Sequence, residues 1–319
     1  MTTAQEAPPL QRILVALDGS PLAEAILEPV RILATRLGAE IVLCHVVAVP
    51  QLLRTATPTA EPTIDVVLTQ ERRRAETYLQ GVARRLRDAG LTVRTLTTTG
   101  DAADAILRSA ERQAVDLIAI ATHGRSGVRR WLYGSVADAV LHSATKPLFL
   151  LRPPDAPASP FEVRRVVVGL DGSEVAETAL PTAEEIARRF HAPLVLVRVV
   201  ETSTLAFAGD PMTAIYLDYQ RLFETLREAA AQYLEARAAD VRRRDVRVET
   251  VVAGGSVPDE IVAQSRVVSG TLLVLGTHGR SGWRAAALGS VARRVALLAP
   301  SAVLLVRGPE PGTLEATKP

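Results

Sequence analysis

The chain is written twice, and a duplication on that scale constrains the architecture before any single motif is weighed. Arg12-Ile13-Leu14-Val15-Ala16-Leu17-Asp18-Gly19-Ser20 returns 153 positions later as Arg165-Val166-Val167-Val168-Gly169-Leu170-Asp171-Gly172-Ser173. Thr122-His123-Gly124-Arg125-Ser126-Gly127 returns as Thr277 to Gly282, and Gly134-Ser135-Val136-Ala137 as Gly289-Ser290-Val291-Ala292, both 155 positions later. So small a drift leaves room for a short insertion and none for a different fold. Between the copies, Pro153-Pro154-Asp155-Ala156-Pro157-Ala158-Ser159-Pro160 can continue neither a helix nor a central strand. The 319 residues are therefore expected to form domain 1 at 1–152, a linker at 153–160, domain 2 at 161–308 and a frayed tail at 309–319.

Within each copy, short β-branched apolar runs alternate with longer segments of helical period. In the first, strands are expected at Ile13–Leu17, Ile41–Val47, Thr92–Thr97, Leu117–Ala121 and Leu148–Leu151. Helices are expected at Leu22–Leu37, about Val66–Ala89, Ala102–Gln113 and Ser135–Ser143, the first two closed by Gly38 and Gly90, with Pro58 and Pro62 in a loop. The second copy repeats the order, with strands near Val166, Leu194, Val246, Leu272 and Val303. Strands apolar on both faces, alternating with helices, imply a parallel sheet covered on both sides with right-handed crossovers. The fold class is α/β: two tandem doubly wound, Rossmann-like domains of five parallel strands, in the order 3-2-1-4-5.

Composition closes off several functions. Apolar residues at 48% and charged residues at 23% fit a globular chain folding in water. Thirty-seven basic against 35 acidic residues, interspersed for a net charge of +2, suit neither a nucleic-acid binder nor a membrane-surface protein. The two lysines, Lys146 and Lys318, lie outside any glycine-rich loop, which excludes a P-loop lysine. Lys146 precedes Pro147 and an apolar run, a structural setting and not that of a Schiff-base amine. The single cysteine, Cys44, forms no intrachain disulfide and points to a reducing compartment. With no signal-peptide pattern and no uncharged run approaching membrane-spanning length, the expected location is cytoplasmic.

In an open parallel sheet, ligands bind outside the carboxyl ends of the strands, where strand order reverses. The repeated motifs fall there. Asp18-Gly19-Ser20 and Asp171-Gly172-Ser173 follow the first strands; Thr122-His123-Gly124 and Thr277-His278-Gly279 follow the fourth, and Gly-Ser then opens a helix. Successive backbone N–H groups, a helix amino terminus and a serine hydroxyl make an anion site suited to phosphates.

Gly276-Thr277-His278-Gly279, nine residues, then Gly289-Ser290 resembles the nucleotide signature of the universal stress protein family, Gly-x-x-Gly-x9-Gly-Ser/Thr. The Asp-Gly-Ser strand end and the Thr-His-Gly-Arg-Ser-Gly segment resemble that family too, over nearly the whole chain as a tandem pair. Copy one departs at Ala121 and keeps Gly124, the nine-residue spacing and Gly134-Ser135. The resemblance implies that Asp18 with Val46, and Asp171 with Val199, hold adenosine. Val136 and Val291, which follow the Gly-Ser pairs, complete the candidate set. The expected function is a stress-response or regulatory protein that binds ATP, with Mg²⁺ on the phosphates; with no committed general base for fast hydrolysis, at most a slow ATPase is expected. Because Gly276 leaves more room for phosphate than Ala121, copy two is expected to bind at least as tightly.

Other assignments compete. Asp18 and Asp171 also suit helix caps. His123 and His278 with a nearby Asp and Ser invite a Ser-His-Asp site, but Gly124-Arg125-Ser126-Gly127 lacks a nucleophile elbow and follows the wrong strand. Arg125, Arg129, Arg130, Arg280 and Arg284 flank the anion site and can pair with phosphate, whereas Arg72–Arg74 and Arg242–Arg244 alternate with acids as on solvated helix faces. A nucleotide-free interaction module and an AMP or cyclic AMP binder are the alternative functions. Each repeat ends in a short apolar strand, Leu148–Leu151 or Val303–Val306, that would sit at a sheet edge and invite pairing. The resemblance implies that the copies pair through it as an intrachain pseudo-dimer; a homodimer of two chains is a further expected assembly.

Overall fold

The strands are the apolar runs that the sequence leaves no other place for. In the computed structural model, residues 10–48, 61–122, 134–153, 161–201, 213–277 and 288–307 are described, with backbone alone at 61–64 and 213–219. The expected linker beyond Pro153 and the expected tail lie outside them. The chain divides into two compact units, an N-terminal one at Pro9–Phe161 and a C-terminal one built on Glu162–Pro319.

The N-terminal unit runs β1 (Arg12–Ala16), α1 (Pro21–Glu24), α2 (Leu27–Leu37), β2 (Glu40–Ala48), α3 (Glu61–Asp88), β3 (Val93–Gly100), α4 (Ala102–Arg112), β4 (Leu117–Ala121), α5 (Ser135–Ser143) and β5 (Leu148–Leu151). All its strand pairs are parallel, in the order β3-β2-β1-β4-β5, with Ile13 opposite both Ile41 and Leu117. The C-terminal unit repeats this as β6 (Arg165–Gly169), α6 (Glu174–Glu177), α7 (Ala179–Phe190), β7 (Leu194–Val200), α8 (Thr213–Arg242), β8 (Val248–Gly254), α9 (Val257–Val267), β9 (Thr271–Gly276), α10 (Ser290–Leu298) and β10 (Val303–Val306). Its order is β8-β7-β6-β9-β10, again parallel. Ile13, Leu14 and Val15 are wholly buried, as are Val166, Val167 and Val168, because each central strand is covered on both faces.

Three local expectations need correcting. The helix expected at Leu22–Leu37 is two, α1 and α2, since Pro29 in the first turn of α2 has no N–H to carry the ladder back to Ala25. Tighter three-residue bonds, Ala25 N–H to Leu22 O at 3.3 Å and Ile26 N–H to Ala23 O at 3.4 Å, close α1 instead. Pro181 sits at the matching place in the first turn of α7. Pro62 lies within the first turn of α3 and not in a loop, a position where proline's missing donor is no loss. The strand expected near Val246 begins at Val248.

The helix ends differ between the copies. Gly38 closes α2 in the left-handed conformation with φ 69°, while the residue in that role after α7 is His191, with φ 53°. Glycine adopts such angles freely; a residue with a Cβ does so under strain.

Candidate functional site

The Asp-Gly-Ser segments form matching turns just past β1 and β6. Gly19 and Gly172 have φ of 83° and 84°, which is why glycine stands there. Asp18 Oδ1 accepts the Ser20 N–H at 2.8 Å; Asp171 Oδ1 accepts the Ser173 N–H at 2.9 Å and the Ser173 hydroxyl at 2.6 Å. The helix caps are Ser20 and Ser173, whose hydroxyl oxygens accept Ala23 and Ala176 N–H at 3.1 Å each. This corrects the capping alternative for the two aspartates: they lock the turn, and both remain exposed at its tip.

Beside each turn, a strand overruns its neighbour. Leu17 N–H reaches Cys44 O at 2.9 Å, and Leu170 N–H reaches Val197 O at 2.8 Å. Cys44 and Val197 therefore face β1 and β6, and the two-residue period turns the peptide groups of Val46 and Val199 the same way, beyond the last paired residues Ala16 and Gly169. Polar backbone edges suited to a planar, hydrogen-bonding base thus stand next to Asp18 and Asp171.

The other side of each site is a helix amino terminus. Gly134 caps α5 and Gly289 caps α10, with φ of −55° and −57° and no side chain bonded to the first amides. The first helical bonds are Asp138 N–H to Gly134 O at 2.9 Å and Arg293 N–H to Gly289 O at 3.0 Å. The amides of Ser135, Val136 and Ala137, and of Ser290, Val291 and Ala292, precede those bonds and have no carbonyl of their own helix to reach. Together with the helix dipole they attract an anion. The fields are unequal, since the first turn of α5 carries Asp138 where α10 carries the exposed Arg293. Gly289 is also tied to the end of β9 by its N–H to Thr277 O at 2.6 Å. His123, Gly124, Arg125, His278, Gly279 and Arg280 lie outside the described residues, so the Ser-His-Asp alternative does too.

Ala121 and Gly276 end β4 and β9. A Cβ on Gly276 would lie 2.4 Å from the Val175 carbonyl oxygen and 3.1 Å from Ala176 Cα, in the α6 backbone. The room that glycine makes there is filled by the helix after Asp171-Gly172-Ser173. At Ala121, the matching strand end of the N-terminal unit, the methyl is present. Gly169, the counterpart of Ala16, is similarly close-packed: its Cβ would meet Ile261 Cδ1 and Leu275 Cδ2 at 2.9 Å.

Reading along the sequence missed a second set of side chains beneath the turns. In the N-terminal unit, His45 meets the edge of the Tyr78 ring at a centroid distance of 6.0 Å, and Glu24 pairs with Arg85 at 2.9 Å. Burial lowers the His45 pKa, partly opposed by the negative charges of Asp18 and Glu71. Burial, then Glu24, raises that of Tyr78. In the C-terminal unit, Arg198 lies over the Tyr233 ring, 4.8 Å from its centre. The Tyr233 hydroxyl donates to Glu177 Oε1 at 2.7 Å, and Arg237 pairs with Glu177 at 3.5 Å. Burial and then Glu177 raise the Tyr233 pKa. Setting the copies side by side would have exposed the set, because Glu24 with Glu177, Tyr78 with Tyr233 and His45 with Arg198 keep the repeat offsets.

Among the described residues no cluster of three or more His, Cys, Asp or Glu side chains is placed to hold a metal ion, and no helix is long and apolar enough to cross a membrane. What the arrangement offers is an acidic turn and a backbone edge at one end, and uncapped amides at the other.

The universal stress protein family model matches residues 9–152 and again 162–307. A universal stress protein of Mycolicibacterium smegmatis is 26% identical over 299 residues, covering 92% of this chain and 96% of that protein. One from Methanocaldococcus jannaschii is 31% identical over 147 residues, 46% of this chain and 84% of its own. Among solved structures, the crystal structure of a universal stress protein from Archaeoglobus fulgidus shares the fold with a TM-score of 0.67 at 20% identity, covering 94% of this chain and 98% of that one. Two whole copies of the family's domain, in order and nearly end to end, account for the duplication, the strand order and the placement of both turns: the chain belongs to the universal stress protein family.

Proposed function

We propose that each unit holds an adenine nucleotide, ATP in the first instance, and that the chain acts as a stress-response or regulatory protein whose state depends on occupancy. The observation that carries this is the recurrence, in both units, of a glycine-capped helix amino terminus facing the same sheet end as an Asp-locked turn and an overrunning strand edge. Triphosphate would lie on the Gly134–Val136 and Gly289–Val291 amides, and adenosine against Asp18 with Val46, or Asp171 with Val199. Mg²⁺ fits this arrangement as a companion of the phosphates, which would supply its oxygen ligands and whose charge it would offset. The C-terminal site is the tighter, since Arg293 favours an anion at α10 and Asp138 opposes one at α5. The same contrast favours a second role for the N-terminal unit, as a nucleotide-free interaction module.

Heat-denaturing the purified protein and identifying the released nucleotide tests the assignment directly, and separates ATP from AMP and cyclic AMP. Gly289→Glu, adding bulk and negative charge at the α10 terminus, should abolish binding at one site; unchanged stoichiometry by calorimetry would remove the phosphate assignment. Turnover, if any, should stay far below the enzyme median of about 10 s⁻¹. A cytoplasmic location, pairing of the copies through their terminal strands and a homodimer complete the proposal. Light scattering of the chain with and without Leu150→Asp and Leu305→Asp tests both modes of assembly.

A further inference from the structure

The residue before the site valine is His45 in one unit and Arg198 in the other, and the exchange falls at the adenosine end of the proposed site. Arg198 is held over the Tyr233 ring by cation–π attraction, 4.8 Å from the ring centre. Its Nη1 would stand 3.4 Å from a Cβ on Gly172, so the charge rests against the Asp171-Gly172-Ser173 turn. The neighbouring acids are engaged elsewhere: Glu177 with Tyr233 and Arg237, Asp171 with the amide and hydroxyl of Ser173. Among the described residues Arg198 forms no hydrogen bond or ion pair, and the interaction it does make is the cation–π contact with the Tyr233 ring. A half-buried guanidinium seated on an aromatic ring, with no hydrogen bond from its N–H donors among the described residues, is a receptor for a phosphate or carboxylate. His45 offers nothing equivalent, because burial favours its neutral form and the acids near it, Asp18 and Glu71, would repel an anion.

We propose that Arg198 makes the C-terminal site selective for an adenine nucleotide carrying a phosphate ester on its ribose, at the 2′ or 3′ oxygen, and that the N-terminal site lacks this preference. In doubly wound nucleotide sites an acidic side chain suits a free ribose hydroxyl, and a nearby arginine accommodates a ribose phosphate. The C-terminal unit sets Arg198 beside an aspartate already bound to its own turn. This inference rests on the nucleotide assignment above and names the ligand class of one of its two sites.

Titration calorimetry of the full-length chain with ADP, adenosine 2′,5′-bisphosphate and adenosine 3′,5′-bisphosphate compares ligands of equal phosphate number. One bisphosphate should bind one site per chain about tenfold more tightly than ADP, the scale of a charge-assisted hydrogen bond. Arg198→His, which installs the residue the sister unit carries there, should bring that ratio close to one. His45→Arg should create the preference at the N-terminal site, a gain that damage to the fold cannot mimic. ADP binding as tightly as both bisphosphates, or a preference that survives Arg198→His, overturns the inference and leaves the nucleotide assignment standing. Absence of binding by all three ligands removes the nucleotide assignment, and this inference with it.

Discussion

Gly276→Ala is a one-methyl change whose cost can be worked from the structure. The new Cβ would meet the Val175 carbonyl oxygen at 2.4 Å, where ordinary contact begins near 3.4 Å, so β9 and α6 must part by about 1 Å. Both surfaces in contact are backbone, and no flexible side chain can swing aside. Overpacking of this kind costs about 1–3 kcal/mol. Replacing glycine in a strand returns about 0.5–1 kcal/mol of conformational entropy. From the middle of each range the net expectation is a loss of about 1 kcal/mol, a fall of roughly 0.5 M in urea midpoint for a small domain. Hydrogen exchange should locate the loss: the amides of Thr277 and Glu177, bonded to Val306 O and Ser173 O, should exchange faster, and those of the N-terminal unit should not change. Because the shift carries Asp171 with α6, the affinity of the C-terminal site should fall as well. Ala121→Gly, the reverse exchange in the other copy, relieves no clash and should also destabilise, by about 0.5–1 kcal/mol. A Gly276→Ala chain as stable as the parent, with unchanged protection at Glu177, would refute the close seat of α6 on β9.

His191→Gly should stabilise the C-terminal unit by about 0.5–1 kcal/mol in urea unfolding, since relief of left-handed strain exceeds the added entropy of the unfolded chain. The folded pKa of His45 lies below its ordinary 6.5, so the unfolded state takes up more protons and stability present above pH 6.5 is lost as pH falls. Glu40, held below its ordinary 4.5 by hydrogen bonds from Arg94 and Arg12, continues that loss under pH 4.5. Urea midpoints at pH 7.5 and 5.5 should differ in the parent and converge in His45→Gln. The Cys44 thiol, pushed up from 9.0 to about 11 by burial, should react with a thiol reagent at pH 8 on the order of a hundredfold more slowly than in the unfolded chain.

The parts of the fold legible in the sequence were those with one physical solution. Ile13–Val15 and Val166–Val168 are continuous apolar runs rich in β-branched residues because they are buried on both faces, and no exposed strand would use them so. The Asp-Gly-Ser turns were legible because a left-handed φ leaves glycine little competition. Who caps the helix was not, since Asp and Ser are equally good acceptors and only geometry assigns Ser20 and Ser173. Arg198 hid inside an apolar strand pattern, and its partner Tyr233 lies on a helix with no spacing rule linking the two. Gly276 looked like a phosphate glycine by its motif; the backbone that requires it, Val175 to Ala176, is a hundred residues earlier in the chain.

The alanine and glycine exchanges at the strand ends set a limit on how the halves can trade material. Ala16 goes with Ala121, and Gly169 with Gly276, and in the C-terminal copy the bare backbone at both strand ends is met closely by the elements packed over it. A crossover that carried the segment Arg165–Glu177 into the place of Arg12–Glu24 would bring in a helix accustomed to bare backbone and set it against the Ala121 methyl. Shuffling between the repeats, in a laboratory library or by recombination of the gene, should therefore recover working chimaeras where both strand ends move together and reject those that split them.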